Sequence, residues 1–381
     1  LTLRDVNVPL IPGKATTIVG MRRCGKTYLC YQEMKRLQAQ GVERERMLYV
    51  NLADDRLRRP SADLLDGVLL AFYRQCPRAR DTGAYLFFDE IQNVEGWELF
   101  VRRVLDTENV QIYLTGSSSK MLSTEVATEL RGRGISLELL PFSFAESVRH
   151  AGISVPRDGY SARERSEMET FFDRSLHVGG FPEVQTLEMP DRVRVLQDYA
   201  ELVLMLDVAE RHRISNTVAL RWLVERLLDA TASEFSVNRF AASLKSEGVR
   251  VGKDTLHEYL RHLTDAFLVF TVEVRRRSYK ARMVNPRKVY AVDPGLAWAM
   301  STCAAQDVGA RLETAVYLEL RRRLTDLRHG RISYHRTASG RQIDFVVDSV
   351  TPGGPVELIQ VCANMGSEAT IAREVAALEE A

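Results

Sequence analysis

Short apolar runs punctuate the first 140 residues, at 16–19, 46–51, 85–88, 110–115 and 135–140, with helix-like stretches between them. Uninterrupted apolar runs of this length read as strands buried on both faces. Their alternation with helical segments predicts a doubly wound α/β domain. The pattern then changes. Residues 161–232 carry apolar positions at helical spacing with charges between, as in "RVRVLQDYAELVLMLDVAERHR" (192–213) and "VALRWLVERLLDAT". From 235 to 270 the chain reads as a short helix, a turn holding Gly248 and Gly252, and a second helix, followed by a strand and a basic hairpin over 272–293. An amphipathic helix (311–327), strands at 331–336, 341–348 and 356–362, and a helix from about Glu368 complete the pattern.

The first strand runs into "TTIVGMRRCGKTYL" (16–29), where Gly20, four residues, Gly25, Lys26 and Thr27 stand between a strand and a helix. This is the GxxxxGK[ST] phosphate loop in the context its mechanism requires. Glycines let backbone N–H groups turn inward around phosphates, and the helix N-terminus adds partial positive charge. Lys26 is the expected partner of the β- and γ-phosphates, and Thr27 the hydroxyl ligand of Mg²⁺. Candidate ATP contacts are Gly20, Arg23, Cys24, Gly25, Lys26, Thr27 and Tyr28. In "AYLFFDEIQNVEGW" (84–97) an apolar strand ends in Asp89-Glu90. Asp89 is expected at the Mg²⁺ and Glu90 at the attacking water. A third strand ends in "TGSSS", where Ser117 or Ser118 either positions that water or forms a plain turn. Arg131 and Arg133 precede the fifth strand. Each is either an arginine finger for a neighbour's ATP or a surface arginine on a local carboxylate.

The order "GMRRCGKT", "LFFDE", "YLTGSSS", "LRGR", "LPFSF" and "GGFPEV" (179–184) resembles the bacterial and archaeal AAA+-type ATPases whose C-terminal region is a domain of unknown function. The resemblance covers nearly the whole chain. It implies a P-loop AAA+ core (1–146), a helical lid (147–232), a winged helix (233–300) and a restriction-endonuclease-like α/β domain (301–381). Many AAA+ proteins carry Asn at the sensor position, where this chain offers Ser. "GGFPEV" reads as a turn positioning the lid, with no chemistry assigned.

In the helix-turn-helix, Leu256, Leu260 and Leu263 share one face and are expected in the core, leaving Lys253, His257 and Arg261 to face DNA. The hairpin carries Arg275, Arg276, Arg277, Lys280, Arg282, Arg287 and Lys288 against Glu273, an excess suited to phosphate contacts over 275–288. The alternative is a winged helix that spaces protein partners, with its arginines solvated. The tail has the outline of a metal-dependent nuclease, with Asp344 on the second strand. Where an acid and a lysine should stand on the third, it has Gln360 and Cys362, and Glu357 falls on the opposite face. The nuclease-like domain is therefore expected to be degenerate.

Composition narrows this little. The chain of 381 residues has 45% hydrophobic and 27% charged residues, as an ordinary globular protein does. A net charge of +1 leaves room for a local basic patch. Five scattered cysteines without a CxxC pair argue against disulfides or zinc and for a cytoplasmic setting. No apolar run is long enough for a membrane span, and no signal peptide is visible. Both native termini are expected to lie beyond the sequence. The expectation is an Mg²⁺-dependent ATPase, acting as a homo-oligomer, that moves along or remodels DNA. The alternative is an ATP-driven switch that binds a protein partner.

Overall fold

The computed structural model describes residues 2–57, 60–117, 130, 132–156, 159–276, 286–301, 308–325, 331–349 and 354–381. The chain divides into two compact units, Leu1–Leu139 and Leu140–Ala381.

In the first unit the apolar runs become strands. β1 (Ala15–Val19), β2 (Met47–Asn51), β3 (Ala84–Asp89), β4 (Val110–Gly116) and β5 (Gly134–Glu138) form a parallel sheet in the order β2-β3-β4-β1-β5. Helices α1 (Lys26–Ala39), α2 (Ala62–Gln75), α3 (Arg78–Thr82) and α4 (Trp97–Thr107) make the crossovers. The core on one side gathers Ile18, Leu29, Leu37, Phe87, Tyr113 and Leu137. Phe87 stacks on Tyr113 with ring centroids 4.5 Å apart and planes 4° from parallel. Full burial of a ring such as Phe87 stabilises by about 1.5–3 kcal/mol. The chain leaves β1 toward β2 on one side of the sheet, while the neighbouring β4 is followed by β5 on the other, so the winding reverses between β1 and β4. In open α/β sheets that is where a ligand crevice opens.

The second unit opens with α5 (Phe144–His150). Its Ser143 and Glu146 form a reciprocal cap on two otherwise unpaired N–H groups. Helices α6 (Ala162–Val178), α7 (Met189–Leu202) and α8 (Thr217–Asp229) follow. α7 widens into a π-helical stretch over Val203–Glu210. Next come β6 (Ser233–Phe235), α9 (Val237–Ser246), α10 (Lys253–Asp265), β7 (Val269–Val272) and β8 (Arg287–Ala291), the strands pairing antiparallel in the order β6-β8-β7. Then follow α11 (Pro294–Met300), α12 (Val308–Thr325), β9 (Arg331–Arg336), β10 (Gln342–Asp348), β11 (Val356–Ile359) and α13 (Glu368–Glu379). The last three strands form a second antiparallel sheet, β11-β10-β9. One bridge, Val274 to Tyr334, links the two small sheets.

The "GGFPEV" segment is a packing device. The N–H of Phe142 donates to the Gly180 carbonyl (2.6 Å), and the N–H of Gly180 donates to the Asp293 carboxylate (2.5 Å). Gly179 has φ +75°, and a Cβ there would lie 2.0 Å from Asp293 Oδ1. No side chain fits. One boundary differs from expectation: β11 ends at Ile359, so Gln360 and Cys362 lie beyond the strand rather than on its face.

Candidate nucleotide-binding site

The loop between β1 and α1 is shaped by backbone constraints at both ends. A Cβ on Gly20 would meet the Leu139 carbonyl oxygen at 2.1 Å, so only glycine lets the chain leave β1 beside β5. Gly25 caps α1 with φ 104°, and Arg23 also adopts the left-handed region with φ 67°. A left-handed turn in a non-glycine residue costs about 1–2 kcal/mol. Cys24 is buried, and its carbonyl accepts a hydrogen bond from Arg4 Nη1 (2.8 Å), which ties the loop to the preceding segment. Lys26 is buried too. Its ammonium donates to the carbonyls of Gly20 (3.1 Å) and Met21 (3.3 Å) and lies 3.5 Å from Glu90 Oε1.

Asp89 and Glu90 follow one another, and in a regular strand they would point to opposite faces. Here they do not. Glu90 takes φ 56° and ψ 48°, and its N–H donates to the Thr115 hydroxyl (2.9 Å). This turn sends Asp89 toward Thr27, whose hydroxyl donates to Asp89 Oδ2 (2.7 Å), and Glu90 toward Lys26. Tyr49 OH donates to the same Asp89 oxygen (2.7 Å), and Thr115 Oγ1 donates to the other. Gln92 Nε2 donates to Glu90 Oε2 and lies 3.5 Å from the Ser117 hydroxyl. Burial pushes the Glu90 carboxyl up, but the Lys26 ammonium, the Gln92 amide and Arg22 outweigh it and hold it below the ordinary glutamate range. Glu90 is therefore ionised at neutral pH, as a water-activating carboxylate must be.

Gly20, Arg23, Cys24 and Gly25 form the loop at the carboxyl end of β1, Lys26 and Thr27 open α1, and Asp89 and Glu90 stand at the carboxyl end of β3. Tyr28 is exposed on α1 and meets Tyr31 edge-on, with centroids 6.0 Å apart. Ser117 is fully buried beside Gln92, and Ser118 and Arg131 lie outside the described residues. Arg133 immediately precedes β5, and its carbonyl accepts from the N–H of Ala15, at the amino end of β1. It is at the opposite edge of the sheet from Lys26, where it pairs with Asp106. Three contacts were not expected from sequence: Thr115, Tyr49 and Gln92. The β3–β4 register pairs Phe88 with Leu114, and the next step places Thr115 beside Asp89.

In the second unit, Leu256, Leu260 and Leu263 are buried and Lys253, His257 and Arg261 are exposed, as expected. The basic hairpin needs correction. Lys288 is 1% exposed and bound to Glu313 and Asp344, so it cannot reach a phosphate. Arg275 pairs with Asp348 (2.9 Å), an acid brought in by β10, and Arg287 with Glu273 (3.4 Å), the acid of the same hairpin. Arg277, Lys280 and Arg282 lie outside the described residues. Asp344 is buried on β10, and Glu357 is exposed on β11, away from it.

Comparison with known proteins agrees with this geometry. A family described as an AAA domain matches residues 12–148, and a domain of unknown function (DUF8612) matches residues 169–307. An uncharacterized protein of Methanocaldococcus jannaschii is 33% identical over 379 residues, covering 99% of this chain and 81% of the relative. An uncharacterized protein of Haemophilus influenzae is 29% identical over 329 residues, 86% of this chain and 78% of that one. Among solved structures, a Walker-type ATPase of Pyrococcus abyssi matches with a TM-score of 0.46 at 15% identity, over 75% of this chain and 90% of that one. The ORC2 protein of Aeropyrum pernix matches with a TM-score of 0.42 at 14% identity, over 82% and 89% respectively. With a phosphate loop whose threonine meets the strand-end aspartate and an AAA-domain match over residues 12–148, the chain carries an AAA domain, and it belongs to the family of the Methanocaldococcus jannaschii protein that aligns with 99% of it.

Proposed function

We propose that this protein is an Mg²⁺-dependent ATPase that works as a homo-oligomer and uses hydrolysis to remodel or move along DNA. The observation that carries the ATPase reading is the divergence of two adjacent carboxylates, Asp89 toward Thr27 at 2.7 Å and Glu90 toward Lys26 at 3.5 Å. Thr27 and Asp89 offer the hard oxygen ligands that Mg²⁺ takes, and the residues present fit that ion. Thr27 and Asp89 would hold the ion, which would supply positive charge to offset that of the phosphates. The chain's own residues do the rest. The loop N–H groups and α1 orient the phosphates, and Lys26 exchanges its loop carbonyls for phosphate oxygens. Glu90, ionised and steadied by Gln92, polarises the attacking water, while Ser117 beside it completes the polar wall. Arg131 and Arg133 precede β5. Arg133 lies at the amino end of β5 and pairs with Asp106, so as a finger it would exchange that carboxylate for the phosphates of another copy.

The reading of residues 233–300 as a winged helix is supported by its order of elements, strand, helix, helix, strand, strand, with sheet order β6-β8-β7. Lys253, His257 and Arg261 on α10 are then the DNA-facing side chains. Residues 1–146 are the ATPase core, 147–232 the lid, and 301–381 a nuclease-like domain without nuclease chemistry. A second reading, a switch that binds a protein through these domains, is favoured by one observation. Glu258 accompanies Arg261 at 3.6 Å, and the hairpin's Arg275, Arg287 and Lys288 are each paired with acids.

ATP turnover measured alone and with single-stranded, duplex, forked and four-way-junction DNA separates the two. The DNA reading expects one form to raise the rate about tenfold, equivalent to about 1.4 kcal/mol of coupling. A rate indifferent to every form contradicts it and leaves the switch.

A further inference from the structure

Lys288, near the start of β8, is among the most deeply buried charged side chains of the described residues outside the nucleotide site, at 1% exposure. Its ammonium donates to Glu313 Oε1 on α12 (2.7 Å) and to Asp344 Oδ1 on β10 (2.9 Å). The hydroxyl of Tyr290 donates to the same Glu313 oxygen (2.7 Å), and its ring stacks on Tyr317, centroids 4.3 Å apart. The second oxygen of Asp344 accepts the N–H of Val361 (3.0 Å), and Gln342 Nε2 donates to the first (3.3 Å). Gln360 turns its amide oxygen to the Asp344 N–H (3.3 Å) and gives its amide N–H to Glu374 (2.8 Å).

Helix, three strands and helix, with one acid on the first helix and one on the middle strand, place Glu313 and Asp344 where a divalent ion would be bridged in a metal-dependent nuclease. The donor set does not fit one. A Mg²⁺ or Mn²⁺ ion needs several oxygens at about 2.0–2.2 Å with lone pairs to spare. Here the inward oxygens of both acids are already filled by N–H and O–H donors, and Gln360 directs its oxygen elsewhere. Among the described residues, no group of three His, Cys, Asp or Glu converges to hold a metal ion. A buried carboxylate pair still requires a cation. Two uncompensated acids at this depth would repel each other and lose several kcal/mol of hydration each.

We propose that the Lys288 side chain is that cation: a built-in ammonium occupies the divalent-ion position between Glu313 and Asp344, and fixes β8, the central strand of the β6-β8-β7 sheet, to the nuclease-like domain. The domain is then an anchor that neither takes up nor uses a divalent ion. The arrangement explains how a helix–strand pair of acids survives without an acid and lysine on the third strand. The lysine comes instead from 56 residues upstream of Asp344.

The proposal makes removal of the ammonium a gain of function. Lys288→Ala leaves a small cavity facing two carboxylates, and Mn²⁺ titrated without nucleotide should bind one more ion per chain than in the wild type. It should also raise the thermal midpoint by about 3 °C or more at saturating Mn²⁺. The double variant Lys288→Ala with Asp344→Asn should lose both effects, which cancels any Mn²⁺ held at the phosphate loop. A folded Lys288→Ala protein that gains no ion overturns the proposal. If that variant does not fold, the wild type decides against Asp344→Asn. Equal Mn²⁺ stoichiometry and no nicking of plasmid DNA by either supports the built-in cation. An ion bound, or a nick made, by the wild type and lost in Asp344→Asn overturns it.

Discussion

Thr115 shows how much one side chain can organise. Its hydroxyl donates to Asp89 and accepts from the N–H of Glu90, so it holds both the Asp89 carboxylate and the left-handed turn that aims Glu90. Thr115→Val keeps the shape and strips the hydroxyl, leaving a buried N–H without its acceptor at a cost of about 1–3 kcal/mol. The expected outcome is a kcat lowered by about 10–100-fold with nucleotide affinity retained, because the phosphate loop is untouched. Measuring kcat and the nucleotide dissociation constant on one preparation checks it. Thr115 was invisible in sequence because its role depends on the β3–β4 register. Lys26, Thr27, Asp89 and Glu90 were legible because a phosphate loop and a strand-end acid pair are local patterns.

At the scale of elements, Asp293 joins the glycine turn to α11. Its carboxylate caps α11 through the N–H of Leu296 (2.8 Å) and accepts the N–H of Gly180. Burial pushes its pKa up from 3.8 to about 6, against the lowering effect of those N–H donors. A folded-state value above the unfolded one means the stabilisation is fully present below the unfolded pKa and is lost as pH rises through about 6. The stability of the wild type relative to Asp293→Asn should therefore grow by about 2–3 kcal/mol as pH falls from 7.5 to 4, read from paired urea titrations. A difference that stays flat with pH would mean that the carboxyl keeps one charge state throughout. The turn itself was legible as "GGFP". Its partner, more than a hundred residues away, was not.

For the whole molecule, what could be read in advance followed the range of the interactions. The five parallel strands were legible because strands buried on both faces need unbroken apolar runs, and the helices of 161–232 because their spacing repeats every turn. Charge was misread where it counts in three dimensions. Arg275, Arg287 and Lys288 form a basic run along the chain, yet Asp348, Glu313 and Asp344 come from other strands and a helix to meet Arg275 and Lys288, while Arg287 meets Glu273 of the same hairpin. Of the hairpin's basic residues, Lys288, Arg275 and Arg287 are thus engaged with carboxylates, whereas Lys253, His257 and Arg261 on α10 are exposed.

The central claim is that Glu90 acts in turnover rather than in holding nucleotide, and it can be tested with one substitution. Glu90→Gln preserves size and the contact with Gln92 but removes the carboxylate charge on which the proposed role rests. Nucleotide binding and ATP hydrolysis should be measured side by side on the wild type and this variant. The account predicts hydrolysis lowered by about 100-fold or more, with ATP bound as tightly as before or more so, since Lys26 loses a competing charge. Hydrolysis that persists in Glu90→Gln, or that falls only in step with lost binding, would contradict it.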